Sequence, residues 1–576
     1  MAFGEYYNSM DRGEHSEKEL VVNPGELGIS TIITRDAIQP IVGRIHAGAN
    51  QVEIGFLGAG KGDIFSGSTN PETWGKEHRL AIRELAEINK VELSTHASVK
   101  IAGFAGQGQE GFSRQQQAEH LKEIKRAVEF AADTAQGGAI VVHTSEWQRP
   151  VSLAADWLNN PENKERKHLL GNFEKVEKEK ESAQIFVADK ETGQLQALRR
   201  NMKIPEVKMK DGKPVLKSDG SMEVEEVTFE KIVEKARNEF SDPNMDEGVA
   251  FMKYYNKSKI QQSKGELAHL EYRREDIQRD LKRLEEANNP EYASVIDQRK
   301  RMLHQLNEQE QSIYKNVHEL EKDRWVSVQE EGMKRSTQGM VEAAMYALEQ
   351  EKKKGLKKDL YIAPENLMPD WGYGSHPQEL KELVIQSRKA MKEKLVQEKK
   401  MSESEAEKVA NSHIRATIDI GHVNTWRKFF KGDDKSFDKW MIENVRDLLK
   451  SKVLGHIHMS DNFGYEDEHL TVGEGNIPMK EFMKELRAAE KEGGPKINVI
   501  VETGAQPPEQ QQQALYGAWS YFGSSVYGAA TANVGLFDRW TDVQNSYFGR
   551  TSSPNYVVGD FRPSEEWTIW SGTNLE

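Results

Sequence analysis

Near the C-terminal end of the chain, imidazoles and carboxylates crowd together: His456-Ile457-His458-Met459-Ser460-Asp461-Asn462, then Asp467-Glu468-His469. Neutral imidazole and ionised carboxylate are the usual ligands of zinc and related divalent metals. His458 closes an apolar run beginning at Val453, so the cluster starts where a buried strand ends. Similar residues follow other apolar runs: His96, His143, Glu365 in Pro364-Glu365-Asn366, Asp419 and His422 in Asp419-Ile420-Gly421-His422, and Glu502 in Val501-Glu502-Thr503-Gly504. A lone histidine at a strand end is usually structural. The shared placement of His96, His143, Glu365, Asp419, His422, His458, Asp467, His469 and Glu502 is what points to chemistry. So many ligand-type side chains at one pole would repel or stay unsatisfied without cations. Three ligands per ion, with a position left for water or substrate, suits several catalytic metals.

The elements that must hold them are short strands. Apolar runs recur at Leu27–Ile29, Val52–Phe56, Val91–Leu93, Ala139–Val142, Leu360–Ile362, Ala416–Ile418, Val453–Ile457 and Ile497–Val501, each followed by a loop and a helical pattern. Strand–helix alternation predicts a parallel sheet, and eight such units predict a closed (β/α)8 TIM barrel with its chemistry at the C-terminal strand ends.

The spacing breaks once, between the fourth and fifth strands, by far more than a βα unit needs. The expected organisation is an N-terminal extension over 1–26, a first half-barrel over 27–150, a large α-rich insertion over 151–336, a second half-barrel over 337–505 and an aromatic extension over 506–576. The insertion leaves the loop after strand four, on the catalytic face. Its first part contains a strand candidate, Ala183–Ala188, and turns at Asp211-Gly212 and Asp219-Gly220. From Ile260 to Trp325 the pattern is helical. Ile260, Leu267, Leu270, Ile277, Leu281 and Leu284 follow heptad spacing with Arg274 interrupting, Asn288-Asn289-Pro290 breaks the run, and Leu306, Ile313 and Leu320 resume it. This reads as an antiparallel hairpin with arms of roughly 40 Å at 1.5 Å per residue. Its helices are expected to pack on each other; the alternative is an arm for a protein partner or a homo-oligomer. A smaller helical insertion, Pro377–Ser412, follows strand five. The C-terminal aromatics (Tyr516, Trp519, Tyr521, Phe522, Tyr527, Phe537, Trp540, Tyr547, Phe548, Trp567 and Trp570) are expected to pack within the protein rather than stack on bases.

Composition bounds the function classes. The chain has 576 residues, 30% of them charged and 37% hydrophobic, with a net charge of -14. Its mean hydropathy is -0.75 and its isoelectric point about 5.7. That balance is unlike a basic nucleic-acid coat, though it leaves room for a local positive groove. The absence of cysteine excludes disulfides, thiolate zinc sites and a cysteine nucleophile. The polar start, Met1–Lys18, lacks an apolar signal core, and no apolar run reaches membrane-spanning length. The expectation is a soluble cytoplasmic protein with no membrane partner.

Taken with its motifs, the ligand set resembles endonuclease IV, the metal-dependent apurinic/apyrimidinic endonuclease family within the xylose-isomerase-like barrels. The motifs are Pro364-Glu365-Asn366, Asp419-x-x-His422, His458-x-x-Asp461 and Asp467-x-His469 leading into Gly473-Glu474-Gly475-Asn476-Ile477. The resemblance covers the barrel, about 27–144 and 340–504, and neither the insertion nor the tail. It implies that His96, His143 and Glu365 hold one metal, and that Glu365 bridges to a second held with Asp419, His458 and Glu502. His422, Asp467 and His469 would hold a third. It also implies up to three Zn2+ per chain, with Mn2+ able to take one site. The implied reaction is phosphodiester hydrolysis on DNA at abasic sites, with Glu365, Glu502 and His143 closest to the chemistry. Zinc lowers the pKa of bound water from 15.7 toward roughly 7.

The chain departs from that family at Glu468, where members carry an arginine, at Asn462 in place of a lysine type, and at Val99 where an intercalating aromatic is expected. Two glycine-rich loops, Gly58–Gly62 and Gly103–Gly108, would let backbone N–H groups approach a phosphate or would be plain loops. Basic clusters at Lys164–Lys167 and Arg199-Arg200 are further contact candidates, read first as solvated faces. Two other functions remain open. One is a sugar isomerase or epimerase of the same superfamily, using Glu365, Asp419, His458 and Glu502 around one metal. The other is a non-enzymatic scaffold working through the helical arm and the aromatic tail.

Overall fold

The computed structural model describes residues 22, 24–173, 183–210, 213–215, 217, 223–504 and 508–523. Its centre is a closed barrel of eight parallel strands. These are β1 (Leu27–Ile32), β2 (Gln51–Phe56), β3 (Glu92–Ser98), β4 (Gly138–Thr144), β5 (Leu360–Asn366), β6 (Ala416–Asp419), β7 (Leu454–Met459) and β8 (Asn498–Val501). Closure is made by β1 pairing with β8, Leu27 opposite Val499. The expected (β/α)8 fold is therefore present.

The strands are legible because side chains alternate. In β2, Val52, Ile54 and Phe56 are fully buried in the main core. Phe56 meets Phe130 of the Arg114–Thr134 helix edge-on, at 5.0 Å and 89°. Such a pair contributes about 0.5–1.5 kcal/mol beyond its area, and Phe56→Ala would cost about 3–5 kcal/mol. The residue between them, Glu53, is equally buried. The Arg114–Thr134 helix begins where the Ser113 hydroxyl accepts the Gln116 N–H, which satisfies one of the amides that a helix start leaves open.

The chain divides into two compact units, 1–179 with 332–576, and 180–331. The second has its own small core, including Ile185, Val187, Phe229, Ile232 and Phe251. The expected strand appears as Gln184–Asp189, paired antiparallel with Leu195–Arg199. The turns at Asp211-Gly212 and Asp219-Gly220 lie outside the described residues. The helical hairpin is present as Glu247–Glu286 and Ala293–Glu321, the first about 60 Å long. Leu267, Leu306 and Val317 are buried along it. Arg274, which breaks the apolar stripe, reaches Glu310 on the other helix at 2.6 Å. The interruption is thus a cross-helix ion pair, and the helices pack on each other as expected.

Two boundaries shift. The Pro377–Lys399 helix buries Leu380, Val384, Met391 and Leu395 in the main core, so this segment supplies the fifth barrel helix, followed by the short Glu403–His413 helix. Likewise the Pro508–Tyr521 helix places Leu515, Ala518 and Trp519, with the following Phe522, in the barrel core, so the barrel runs past residue 505. The aromatics from Tyr527 to Trp570 lie outside the described residues, as does most of the 1–26 extension. Among the described residues, no helix is long and apolar enough to cross a membrane.

Candidate metal centre

Strand register brings the expected ligands together. Glu365 on β5 stands opposite His143 on β4, and Asp419 on β6 stands opposite His458 on β7. Glu502 follows β8 directly, its N–H donating to the Met459 carbonyl at 3.0 Å.

Glu365 is fully buried at the centre. Its Oε2 lies 3.2 Å from His96 Nε2 and 3.7 Å from His143 Nε2. Its Oε1 lies 2.8 Å from His458 Nδ1, which is also 3.2 Å from Glu502 Oε2. Each oxygen of one carboxylate therefore faces a different imidazole group. Donor atoms lie within 4.8 Å of one another in His96–His143–Glu365 and in Glu365–Asp419–His458–Glu502. His422, Asp467 and His469 meet differently: Asp467 Oδ2 stands between His422 Nε2 at 3.1 Å and His469 Nε2 at 2.9 Å.

Several groups fix these side chains. Asn366 ties β5 to β6: its Nδ2 donates to the Asp419 carbonyl at 3.0 Å, and its Oδ1 accepts the Asp419 N–H at 2.9 Å. The Asn366 carbonyl lies 2.8 Å from His422 Nδ1, and the Ala97 carbonyl 2.7 Å from His96 Nδ1. A carbonyl only accepts, so each of these nitrogens carries its proton and the Nε2 is left facing inward. Glycine makes the necessary room. A Cβ on Gly421 would fall 2.2 Å from Ser460 Oγ, and one on Gly504 2.8 Å from the His469 ring. His469 itself holds φ at 49°, a conformation that costs on the order of 1 kcal/mol and persists at functional sites.

The electrostatics follow from burial and pairing. Burial opposes the charged form of every imidazole here. At His143 burial prevails, holding the ring down at about 4. At His96 the Glu365 carboxylate outweighs it and raises the pKa. At His458, Glu365, Glu53 and Glu502 raise it far, and at His422, Asp419 and Asp467 do so. Against its burial, Asp467 with Glu502 holds His469 up at about 9. Burial, with Glu502 adjacent, pushes Asp419 well above the carboxylate range. Burial works against ionisation at Glu365, fully buried, and at Glu502, partly buried, yet both are held well below that range, chiefly by His458. In the absence of a cation, protons occupy this cluster. Buried Asp419 Oδ2 and Asp467 Oδ1 find no hydrogen-bond donor among the described residues. A buried acceptor left this way is costly, and imidazole nitrogens with carboxylate oxygens are what a zinc-type ion takes. The residues present fit such an ion.

Three features extend or correct the sequence reading. First, Glu53 and His456 join His458 in a third close-set group. The clue was present, since Glu53 is a lone acid inside an apolar strand and His456 shares the face of His458. Second, Glu146 was missed. It is fully buried and accepts the N–H groups of Phe104 and Ala105 at 2.9 Å each and the Ser336 hydroxyl at 2.5 Å. Burial raises it to about 7. The Phe104 and Ala105 amides are thus already engaged by a carboxylate, and the Gly103 N–H by the His143 carbonyl. Gly60 N–H likewise donates to Glu123 at 3.0 Å. At Phe104, Ala105 and Gly60 the loops use their N–H groups internally. Third, Asp461 accepts from the N–H groups of Asn462, Gly473 and Ile477, which shapes the loop after β7. Asn462 of the same loop hydrogen-bonds Gly421 and Asn424 after β6 and Gly464 in its own loop, while Glu468 and Val99 are exposed. Arg166 reaches Gln378 at 2.6 Å and Arg200 reaches Glu247 at 2.7 Å, each within its own unit.

Residues 404–517 match the family model described as Xylose isomerase-like TIM barrel. Two uncharacterized proteins of Methanocaldococcus jannaschii are similar to part of the chain. MJ1311 is 34% identical over 79 residues, 14% of this chain and 23% of that protein. MJ1614 is 33% identical over 88 residues, 15% of this chain and 26% of that protein. The chain spans about a quarter of the length of these curated relatives. Among solved structures, a D-tagatose 3-epimerase-like protein aligns at 13% identity and a TM-score of 0.35, covering 86% of this chain and 98% of that one. The D-psicose 3-epimerase of Clostridium cellulolyticum H10 aligns at 10% identity and 0.35, covering 87% and 99%. The closed barrel is a TIM barrel, and its 404–517 segment is similar to the xylose isomerase-like family.

Proposed function

We propose that this chain is a metal-dependent phosphodiester hydrolase of the endonuclease IV kind, cleaving DNA at abasic sites with up to three zinc-type ions. The observation that carries this reading is the two-sided use of Glu365. One oxygen faces His96 and His143, and the other faces His458 in the group completed by Asp419 and Glu502. A carboxylate so placed would be shared by two ions, and His422, Asp467 and His469 would hold a third. A row of cations suits a reaction in which charge develops on attacking, equatorial and leaving oxygens of one phosphate. When bound, zinc-type ions acidify water and neutralise that charge. Glu365 holds the array together. Glu502, partly buried and ionised, would complete the donor set around the second ion. His143, kept neutral by burial, offers its nitrogen as a ligand without first losing a proton.

Exposed aromatics on loops at the same pole support a nucleic-acid substrate: Phe65 after β2, Trp371 after β5, and Phe463 with Tyr465 after β7. Bases stack on such side chains at about 1–3 kcal/mol each. Lys61 and Lys100, on the loops after β2 and β3, are exposed and cationic. The test is incision of a duplex carrying one abasic site, with and without chelator, alongside metal per chain. Chelator-sensitive incision 5′ to the lesion with about three metals is expected for such a site; metal-loaded protein that leaves the duplex intact would refute the substrate.

A second reading has its own observation. Glu365, Asp419, His458 and Glu502 form by themselves a four-donor set around one position, as a one-metal sugar isomerase or epimerase needs. It leaves His96, His143, His422, Asp467 and His469 without a task. One metal per chain and interconversion of a ketose would establish it.

A further inference from the structure

We infer that Glu53, on the strand across the barrel interior, is a positioning residue that orients His458 toward the metal centre. This rests on the metal reading above and assigns a role to a group outside the nine expected ligands. His458 has one nitrogen for the centre: Nδ1, 2.8 Å from Glu365 and 3.2 Å from Glu502. Its other nitrogen, Nε2, lies at ion-pair distance from Glu53 Oε1, 2.8 Å, without hydrogen-bond alignment. The second oxygen of Glu53 accepts from His456 Nε2 at 2.8 Å and from the Ser94 hydroxyl at 3.0 Å. All of these side chains are buried. His456 Nδ1 has no partner among the described residues, so a proton there would be stranded. The proton belongs on Nε2, donated to Glu53.

One arrangement satisfies both imidazoles with water excluded: His456 donates to Glu53, as the structure has it, and a small turn of the His458 ring points its Nε2–H at the other oxygen. For His458 that puts the lone pair on Nδ1, facing Glu365 and Glu502. His96 and His422 are arranged the same way, with a backbone carbonyl in the place of Glu53. His458 is the one ring of these three held by a carboxylate, which also increases the basicity of the nitrogen it leaves free. Partners of this kind are typically worth about 10–100-fold in metal affinity.

The test is a Co2+ titration of full-length wild type and Glu53→Gln, followed by visible absorption and chelator competition. The amide keeps the shape of Glu53 but presents N–H to one of two imidazole N–H groups, so one ring must turn or change tautomer. The expected result is affinity lower by about 10–100-fold, with altered d–d absorption and folding intact by circular dichroism. Should that variant not fold, Glu53→Asp keeps the charge with shorter reach and is expected to shift in the same direction by less. Ser94→Ala leaves both imidazole contacts and is expected to bind like wild type. Equal affinity and spectrum in wild type and Glu53→Gln would overturn the inference while leaving the metal reading standing. Wild type that takes up no Co2+ would overturn both. His456→Asn binding one ion fewer would overturn the positioning role in favour of a separate ion held by Glu53 and His456.

Discussion

Replacing Glu365 with glutamine changes no volume but removes the charge on which two donor groups depend. Glu365 lies 2.8 Å from His458, 3.2 Å from His96 and 3.7 Å from His143. An amide presents one acceptor oxygen, so it cannot face both imidazole groups as a ligand. Of three expected metals, the two that share Glu365 are lost, and content falls to about one per chain, held by His422, Asp467 and His469. Loss of charge stabilisation at the reacting phosphate, ~4 kcal/mol, corresponds to at least about a 10³-fold fall in incision. In metal-free protein, breaking a buried ion pair costs about 3–5 kcal/mol. That is within the 5–15 kcal/mol typical of a domain, so the variant is expected to fold with a lowered Tm. Elemental analysis after dialysis gives the metal content, and a labelled abasic duplex gives the rate. Wild-type metal content together with wild-type incision in Glu365→Gln would refute the bridging argument.

Further expectations follow from the same structure. Because carboxylates hold His96, His422, His458 and His469 protonated, the last up to about 9, metal uptake must expel protons; affinity should rise with pH toward 9, and an unbuffered solution that does not acidify on zinc addition would contradict this. His376, held by burial at about 4 against an ordinary 6.5, stays neutral while the unfolded chain protonates, so its contribution of about 3 kcal/mol is present above pH 6.5 and lost as pH falls toward 4. Urea midpoints of wild type and His376→Asn should therefore converge over that window; parallel profiles would be the contrary result. Glu146→Ala strands the buried amides of Phe104 and Ala105 and should cost about 1–3 kcal/mol for each, read as a lower Tm. Phe463→Ala with Tyr465→Ala should weaken binding to the abasic duplex by about 1–3 kcal/mol per lost base stack with metal content unchanged; undiminished binding would remove the aromatic rim from the proposal.

Much of the candidate site's placement was legible because a barrel strand carries its donor-type side chain at its own end. His143, Asp419, His458 and Glu502 each directly follow an apolar run and Glu365 follows one by three residues, and an apolar run is a local property. The eightfold alternation likewise needed no long-range knowledge, and neither did the heptad stripe of the hairpin. What local pattern misread were boundaries. Pro377–Lys399 and Pro508–Tyr521 read as an insertion and part of a tail because their apolar faces acquire meaning only against the barrel they cover.

The sequence alone determined the kinds of donor and the strands that end in them, since composition and alternation are set residue by residue. Tertiary structure decided which donors share a partner. Glu53 and His456 stand 403 positions apart, and no periodicity links them; closing the barrel brings β2 and β7 to face each other across its interior. The same closure turns the two oxygens of Glu365 to different imidazoles and sets Glu146 under the 103–105 loop. These are choices of register and packing, made where the low dielectric of a buried site makes an unmatched charge too costly to keep.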